Sequence, residues 1–565
     1  MKTNKPRNKS ISNLLLILLG IIILNIISAN FFFRIDLTKE KRYTLAPVTR
    51  SFLKNLDHDV FVRVYLTGDL NVGFQKLSKA TCEMLDEFRF AAGSDISYEI
   101  INPQDNPEEQ DVLKEFGLNP ISVFEAAADG RKIQSKVYPY AMFRVSDYEI
   151  PVNLIENLPG LSGDENLNIS IESLEFKMTD ALRQLVNDDM PAIAFLEGHG
   201  ELNEYDVLDI TDELSAYYQV DRGSLTDDPF VLDRYKCIII AKPQQTFPQK
   251  DKFIIDQYIM RGGKVLWLVD AVNATLDSLR RTTHTIGLVK DISLTDLLFR
   301  YGVRVNHTLL QDIQSAPIPI NAAPQGEAPQ IVSVPWLFSP LLNTASNHPV
   351  TRNVNVVKSE FISSIDTVGN MQSITRDVLL QTSRFSRELQ VPVYISLSQV
   401  NDKPEREDFR QSHIPVAVSL EGIFQSAYAN RLPPPEVKIN STDIRHASEP
   451  TRMIFVADGD IIRNEVRLRH SGSPQALPLG FDEMSNQTFG NKQFILNAIN
   501  YLTDDDGWMS LRGRSYELRL LDKEKLSNEL TFWQALNIVL PILLLTIAGL
   551  AIPLWRRKRF GKIEK

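Results

Sequence analysis

Two long runs without a charged residue, one near each end, set the first limit on what this chain can fold into. Ile11 to Phe33 spans 23 residues, and Leu530 to Trp555 spans 26. A 23-residue helix rises about 35 Å, enough to cross a bilayer's hydrocarbon core. A cleaved signal peptide has a shorter apolar region and a small-residue cleavage site. The first run is too long for that, and Ile27-Ser28-Ala29 makes a poor cleavage site. Both runs therefore read as transmembrane helices. Trp533 and Trp555 sit near the ends of the second run, where indole rings favour the interface. Pro541 would break a soluble helix. In a membrane a neighbouring helix can satisfy the freed carbonyl, so Pro541 points to a packed partner helix, with a lone kinked anchor as the alternative.

Charge orients the spans. Lys2, Lys5, Arg7 and Lys9 give the first tail +4, and the last tail carries +5. Removing these from the net charge of −10 leaves −19 for the remainder. The positive-inside rule puts both tails in the cytoplasm and residues 34–529 outside. An ectodomain this acidic repels phosphate backbones, so nucleic acid is not an expected partner, while the basic tails suit a lipid bilayer surface. The two cysteines, Cys82 and Cys237, form no CxxC, so neither a redox pair nor a structural zinc site is signalled.

Periodicity divides the ectodomain. In residues 34–185 a strand at Val60–Leu66, a helix at Phe74–Ala92, a strand at Ile96–Ile101, a short helix at Gln110–Phe116 and a strand at Ile121–Phe124 predict a thioredoxin-like domain without redox cysteines. From 186 to 312, strands apolar throughout (Ala192–Leu196, Cys237–Ala241, Lys264–Val269) alternate with helices at Tyr205–Tyr218 and Asp251–Met260. This predicts a parallel sheet covered on both faces. A strand at Arg452–Ala457 and a helix at Lys492–Leu502 place residues 450–515 in the same α/β domain. Residues 313–449 read as a β-rich insertion. A membrane-proximal segment at 516–529 leads to the second span at 530–555. Residues 1–10 and 556–565 are the cytoplasmic tails, and 11–33 the first span.

Chemistry is sparse. Glu197, His199 and Glu201 in Glu-Gly-His-Gly-Glu follow a strand, where ligands bind in open parallel sheets. They could hold a ligand or act as acid and base, but a glycine-permitted tight turn accounts for the same residues. No second His or Cys at ligand spacing completes a metal set, and no Gly-x-Ser-x-Gly elbow supplies a nucleophile. The corresponding strand end after Ile240 reads Ala-Lys-Pro. Asp458 and Asp460 form a carboxylate pair at another strand end, expected as a solvated turn. There is no Gly-x-x-x-x-Gly-Lys-[Ser/Thr] loop for ATP and no HExxH. No catalytic residue, cofactor or metal is expected.

Four stretches together resemble the GldG family of gliding-motility-associated ABC transporter subunits. They are Phe33–Leu45 beside the first span, Phe195–Glu201, Gly422–Tyr428, and Asn497–Asp505 before the second span. The resemblance covers nearly the whole chain. It implies a bacterial inner-membrane protein with a periplasmic ectodomain and an ABC-transporter auxiliary domain of glutamine-amidotransferase-like or flavodoxin-like α/β fold. It also implies a multispan permease partner and, through it, a cytoplasmic ATPase, with periplasmic envelope proteins as further contacts. The expected function is that of a non-enzymatic accessory or substrate-binding-type subunit. A membrane-anchored hydrolase using the Glu197–Glu201 loop and an envelope scaffold for motility are the alternatives.

Overall fold

The computed structural model describes residues 16–20, 44–93, 95–126, 132–186, 190–321, 323, 328, 330–369, 373–401, 404–467, 475–483, 485–513 and 523–560. The first tail, most of the first predicted span and residues 516–522 lie outside the described residues, as does most of the Phe33–Leu45 stretch. The chain divides into two compact units, Met1–Arg514 and Ser515–Lys565.

The N-terminal region of the first unit builds a four-stranded sheet. Its strands are β1 (Val60–Val64), β2 (Ile96–Ile100), β3 (Tyr140–Val145) and β4 (Tyr148–Asn153), in the order β2-β1-β3-β4. β1 and β2 run parallel; β3 is antiparallel to β1, and β4 to β3. Helices α1 (Val72–Ala92) and α2 (Gly163–Val186) bury one stripe each, with Leu77, Leu85 and Phe88 from α1 fully enclosed. Alternate residues of β1 are buried, as a sheet with a covered face requires. The predicted strand at Ile121–Phe124 exists but stays out of this sheet. It pairs with Lys132–Val137 in a separate hairpin, and the sheet is completed by β3 and β4, for which no strand was expected. An alternating run identifies a strand without identifying its neighbour.

The main sheet has ten strands. Its parallel half comprises β5 (Ala192–Glu197), β6 (Gln219–Ser224), β7 (Cys237–Ala241), β8 (Lys264–Leu268) and, much later in the chain, β12 (Thr451–Val456). Between β8 and β12 in sequence come β9 (Ile331–Thr344), β10 (Ile374–Gln381) and β11 (Pro415–Gly422), which extend the sheet in antiparallel fashion from β12 outward. The order is therefore β9-β10-β11-β12-β8-β7-β5-β6, with Ser315–Asn321 beyond β9 and the short strand Val357–Lys358 pairing with β9 off this path. Strands from the β-rich stretch thus join the same sheet. β7 is buried at all five positions, so both of its faces are covered. In the region predicted as one helix, a 3-10 turn at Tyr205–Val207 leads into a helix at Leu208–Leu214, and the chain then enters edge strand β6. The polar sequence Gln-Val-Asp-Arg-Gly-Ser gives that edge strand no apolar signature.

Helix α3 (Gln249–Met260) is buried at ten of its twelve residues, including charged ones. Its Asp256 is fully buried and accepts hydrogen bonds from Tyr301 (2.9 Å), Ser426 (2.6 Å), the Ala427 amide (2.8 Å) and Gln257 (3.1 Å). The Gly422–Tyr428 stretch therefore supplies two of the four donors to a buried carboxylate, offsetting part of the cost of desolvating Asp256. Helix α4 (Asn491–Thr503) packs on the sheet, and Phe176 of α2 stacks on Trp508 at 5.3 Å, fastening the N-terminal region to it.

The second unit contains one helix, α5 (Lys523–Phe560), kinked at Glu529 and holding Pro541 and Pro553. Its stretch Glu529–Trp555 contains an 18-residue window with a mean hydropathy of 2.5 and is long and apolar enough to cross a membrane.

Candidate functional site

The parallel strands deliver their carboxyl ends to one edge of the sheet, where open α/β folds place their ligands. Two chemically loaded loops lie there.

The first follows β5. Gly198 and Gly200 take φ of 115° and 73°, conformations that favour glycine, and turn the chain sharply around His199. His199 is buried. Its Nδ1 lies 3.1 Å from Glu201 Oε1 and its Nε2 lies 2.9 Å from Asp251 Oδ2 in the first turn of α3. The imidazole stacks on Phe247 at 3.7 Å. Glu201 also accepts the His199 amide at 2.7 Å. Burial pulls the His199 pKa down, but the bonds to Asp251 and Glu201 outweigh it and push it up to about 9. This is an imidazolium held between two carboxylates, fixing the loop to α3. Glu197 points away and pairs with Arg222 at 2.7 Å. The structure thus brings His199 and Glu201 into contact and leaves Glu197 out.

The second loop follows β12 and corrects the expectation of a solvated turn. Asp458 is 1% exposed, and the Asp460 side chain 8%. The Asp458 carboxylate accepts the amides of Glu360 (2.8 Å) and Asp460 (2.7 Å). Asp270, just past β8, accepts the Gly459 amide at 2.7 Å. Lys242, in the Ala-Lys-Pro after β7, inserts its ammonium between them, bonded to Asp460 and 3.7 Å from Asp270. A Cβ on Gly459 would stand 2.4 Å from the Lys242 Cβ, so glycine is what lets the two loops approach. Lys242 itself holds a positive φ of 56°, a sparsely populated conformation for a side-chain-bearing residue. The turn was expected to be wet because Asp and Gly are usual turn residues. The partner that permits its burial, Lys242, lies more than 200 positions away in sequence.

Oxygens of Asp270, Asp458 and Asp460 lie within 4.8 Å of one another, close enough to hold a metal ion. Backbone amides and the Lys242 ammonium already occupy most of them, so a metal would have to displace the lysine. Burial depresses the Lys242 pKa, but Asp270 and Asp460 outweigh it and raise the value. Burial, then Asp460, holds the Asp458 carboxyl well above the usual range. Burial also raises Asp460, against the pull of Lys242, and raises Glu360, with Asp460 adding to the effect.

Beside this cluster opens a cavity of about 360 Å³. Asp460 and Glu360 form part of its wall, with Asp206, Asp277, Lys358 and Arg463. Arg463 bridges outward to Asp206 (3.2 Å) and Asp277 (3.6 Å), and reaches Asp460 Oδ1 only at 3.8 Å. Lys358 faces Glu465 at 3.4 Å. The hydroxyl in the lining, Ser359, donates to the Pro340 carbonyl at 2.7 Å and is 1% exposed, so no lining hydroxyl is poised against a base.

A model of the family described as "ABC-type uncharacterized transport system" matches residues 190–498. The chain belongs to this family. This auxiliary protein is therefore a component of an ABC-type transport system, and its apolar C-terminal helix fits membrane association. A domain of unknown function matches residues 39–144. No curated protein matches the auxiliary protein. Among solved structures, the "mmIFT52 N-terminal domain" aligns over 56% of this chain and 99% of that one, at 12% identity and a TM-score of 0.31, too low to carry an argument. Every residue lining the cavity falls inside the family match.

The strand-end rule reached Glu197–Glu201, Asp458 and Asp460 from sequence. It missed Glu360, Arg463 and Asp206 as cavity residues. Asp206 lies in the 3-10 turn after β5, Glu360 between β9 and β10, and Arg463 past β12, so the order of strands in the sheet, and no periodicity, brings them together.

Proposed function

We propose that this auxiliary protein is a non-enzymatic, membrane-anchored subunit of a gliding-motility ABC transport assembly. In this reading both tails are cytoplasmic, the ectodomain is periplasmic, and a multispan permease connects the chain to a cytoplasmic ATPase. The observation that carries the non-enzymatic part is the chemistry of the strand ends. His199 is bonded on both ring nitrogens, Lys242 is committed to Asp460, and Ser359 donates to a carbonyl. No nucleophile beside a free base is found among the described residues of either loop. The gliding-motility part rests on the resemblance of the Phe195–Glu201, Gly422–Tyr428 and Asn497–Asp505 stretches. The β2-β1-β3-β4 order, with β1 and β2 parallel, supports the thioredoxin-like reading of the N-terminal region. Pro541 supports a partner helix, because proline frees a carbonyl that lipid cannot satisfy.

The test is co-purification. The full chain, expressed with its permease and ATPase and extracted in mild detergent, should elute with both. Replacing Glu529–Trp555 by an unrelated apolar helix should weaken that association. Recovery of the chain alone from cells expressing all three would contradict the reading.

A further inference from the structure

The apolar stretch of α5 is not uniform around its circumference. Gln534, Asn537, Pro541, Leu544, Ala548 and Ala551 recur at alternating steps of three and four residues, so they share one face of the helix. Phe532, Val539, Leu543 and Leu550 stand on the opposite face. In lipid, helices are held together by close approach and hydrogen bonds, because the hydrophobic effect does not favour their association. A polar, small-residue seam against a bulky aliphatic back suits that kind of packing. The seam alone names no partner; the chemistry at Asn537 does.

Asn537 lies seven residues, roughly 10 Å, inside the start of the charge-free run at Leu530, a depth from which a short amide side chain does not reach the headgroups. Other polar groups of the helix are satisfied within it. The Trp533 indole donates to Glu529 at 3.0 Å, and the Thr546 hydroxyl, on the back of the helix, to the Ile542 carbonyl at 2.7 Å. The Asn537 side chain forms no hydrogen bond among the described residues and is exposed. Pro541, four residues on, has no N–H to give the Asn537 carbonyl. One turn thus presents two amide donors, an amide oxygen and a main-chain carbonyl short of its helical donor, in a medium that supplies no partner for them.

We infer that α5 pairs in parallel with α5 of a second copy of this chain, Asn537 of each helix hydrogen-bonding Asn537 of the other across a two-fold axis. The pairing rests on the reading of Glu529–Trp555 as a membrane span. A carboxamide is donor and acceptor at once, so the residue complements itself. Two copies oriented by the same charge signal run parallel, and equal positions then lie at equal depth. A helix of another protein meets the need only if it carries a polar group at that depth, whereas a second copy carries one by construction. Ala548 and Ala551 let the two backbones stay close further along the seam.

The experiment uses the full chain expressed without permease or ATPase, with wild type, whose own thiols are Cys82 and Cys237, as the reference. A water-soluble maleimide should label Leu550→Cys in intact membranes no more than wild type; labelling of that thiol would overturn the span itself, and the pairing with it. Copper-phenanthroline oxidation in the membrane should join Ala548→Cys into a disulfide-linked dimer and leave Leu550→Cys a monomer. Sedimentation in mild detergent should show a monomer–dimer equilibrium that Asn537→Leu weakens by about three- to thirtyfold. Asn537→Gln, which keeps the carboxamide, should stay within about threefold of wild type. With the span intact, a monomeric wild type, equal crosslinking on both faces, or dimers indifferent to Asn537→Leu would overturn the pairing. Dimers that form only when the permease is co-expressed would overturn it too, since the seam would then belong to the permease.

Discussion

The loops after β5 and β12 occupy the same place in the fold and resolve their charges in opposite ways. After β5, the His199 ring meets the carboxylates of Glu201 and Asp251 and is stacked on Phe247. After β12, Lys242 meets Asp460 and Asp270, Lys290 reaches Asp270 at 3.4 Å, and the carboxyls of Asp458 and Glu360 stand beside them. The first loop reads as a clamp, one imidazole held by two acids from different elements. The second packs several acids around its lysines beside a cavity. A polar cluster at a strand end is thus informative through the balance of its buried charges as well as through the residue types it contains.

The largest effect that separates the two loops is expected from Lys242→Met. Removing the ammonium leaves three buried carboxylates facing one another, which costs about 3–5 kcal/mol. Denaturant unfolding at about pH 8 should show the full loss, and at about pH 5 a smaller one, because the acids then take up protons. An equal loss at both would break the electrostatic reading.

His199→Gln comes next, at about 3 kcal/mol or less near neutral pH. The sign follows from a folded pKa raised from 6.5 to about 9. The stabilisation is fully present below pH 6.5 and is lost as pH rises through about 9. The wild type should therefore lose melting temperature over that interval, and the variant should lose less. Parallel curves for the two proteins would show that His199 is no charged clamp.

Gly459→Ala sharpens the contrast locally. The added methyl meets the Lys242 stem and should cost about 1–3 kcal/mol by thermal unfolding. The smallest effect belongs to Glu197→Gln. Its carboxylate is 44% exposed, and its pair with Arg222 should contribute at most about 1 kcal/mol. A larger loss would give Glu197 a role that its geometry does not suggest.

The sequence made the parallel strands legible because β5, β7, β8 and β12 are buried on both faces and so are apolar at nearly every position. It hid β6 and β4, whose half-exposed or polar residues carry no such run, and β3 was missed although Ala141, Met142, Phe143 and Val145 are buried. Neighbours were harder still: nothing in Ile121–Phe124 says that it pairs with Lys132–Val137 and not with β1. At the site, Asp458 and Asp460 were visible as a pair, and Lys242 as the residue after a strand. Their contact depends on parallel β7, β8 and β12 lying side by side, a matter of topology. Glu360 is an ordinary acid in sequence and becomes notable only through its place in the cavity wall.

The contrast between the loops is tested most directly by following thermal unfolding of wild type, His199→Gln and Lys242→Met side by side between about pH 5 and about pH 10. His199→Gln should close on the wild type as pH rises through about 9, whereas Lys242→Met should fall further below it as pH rises from about 5 to about 8. Deficits of the two variants that change in the same direction with pH would contradict the account.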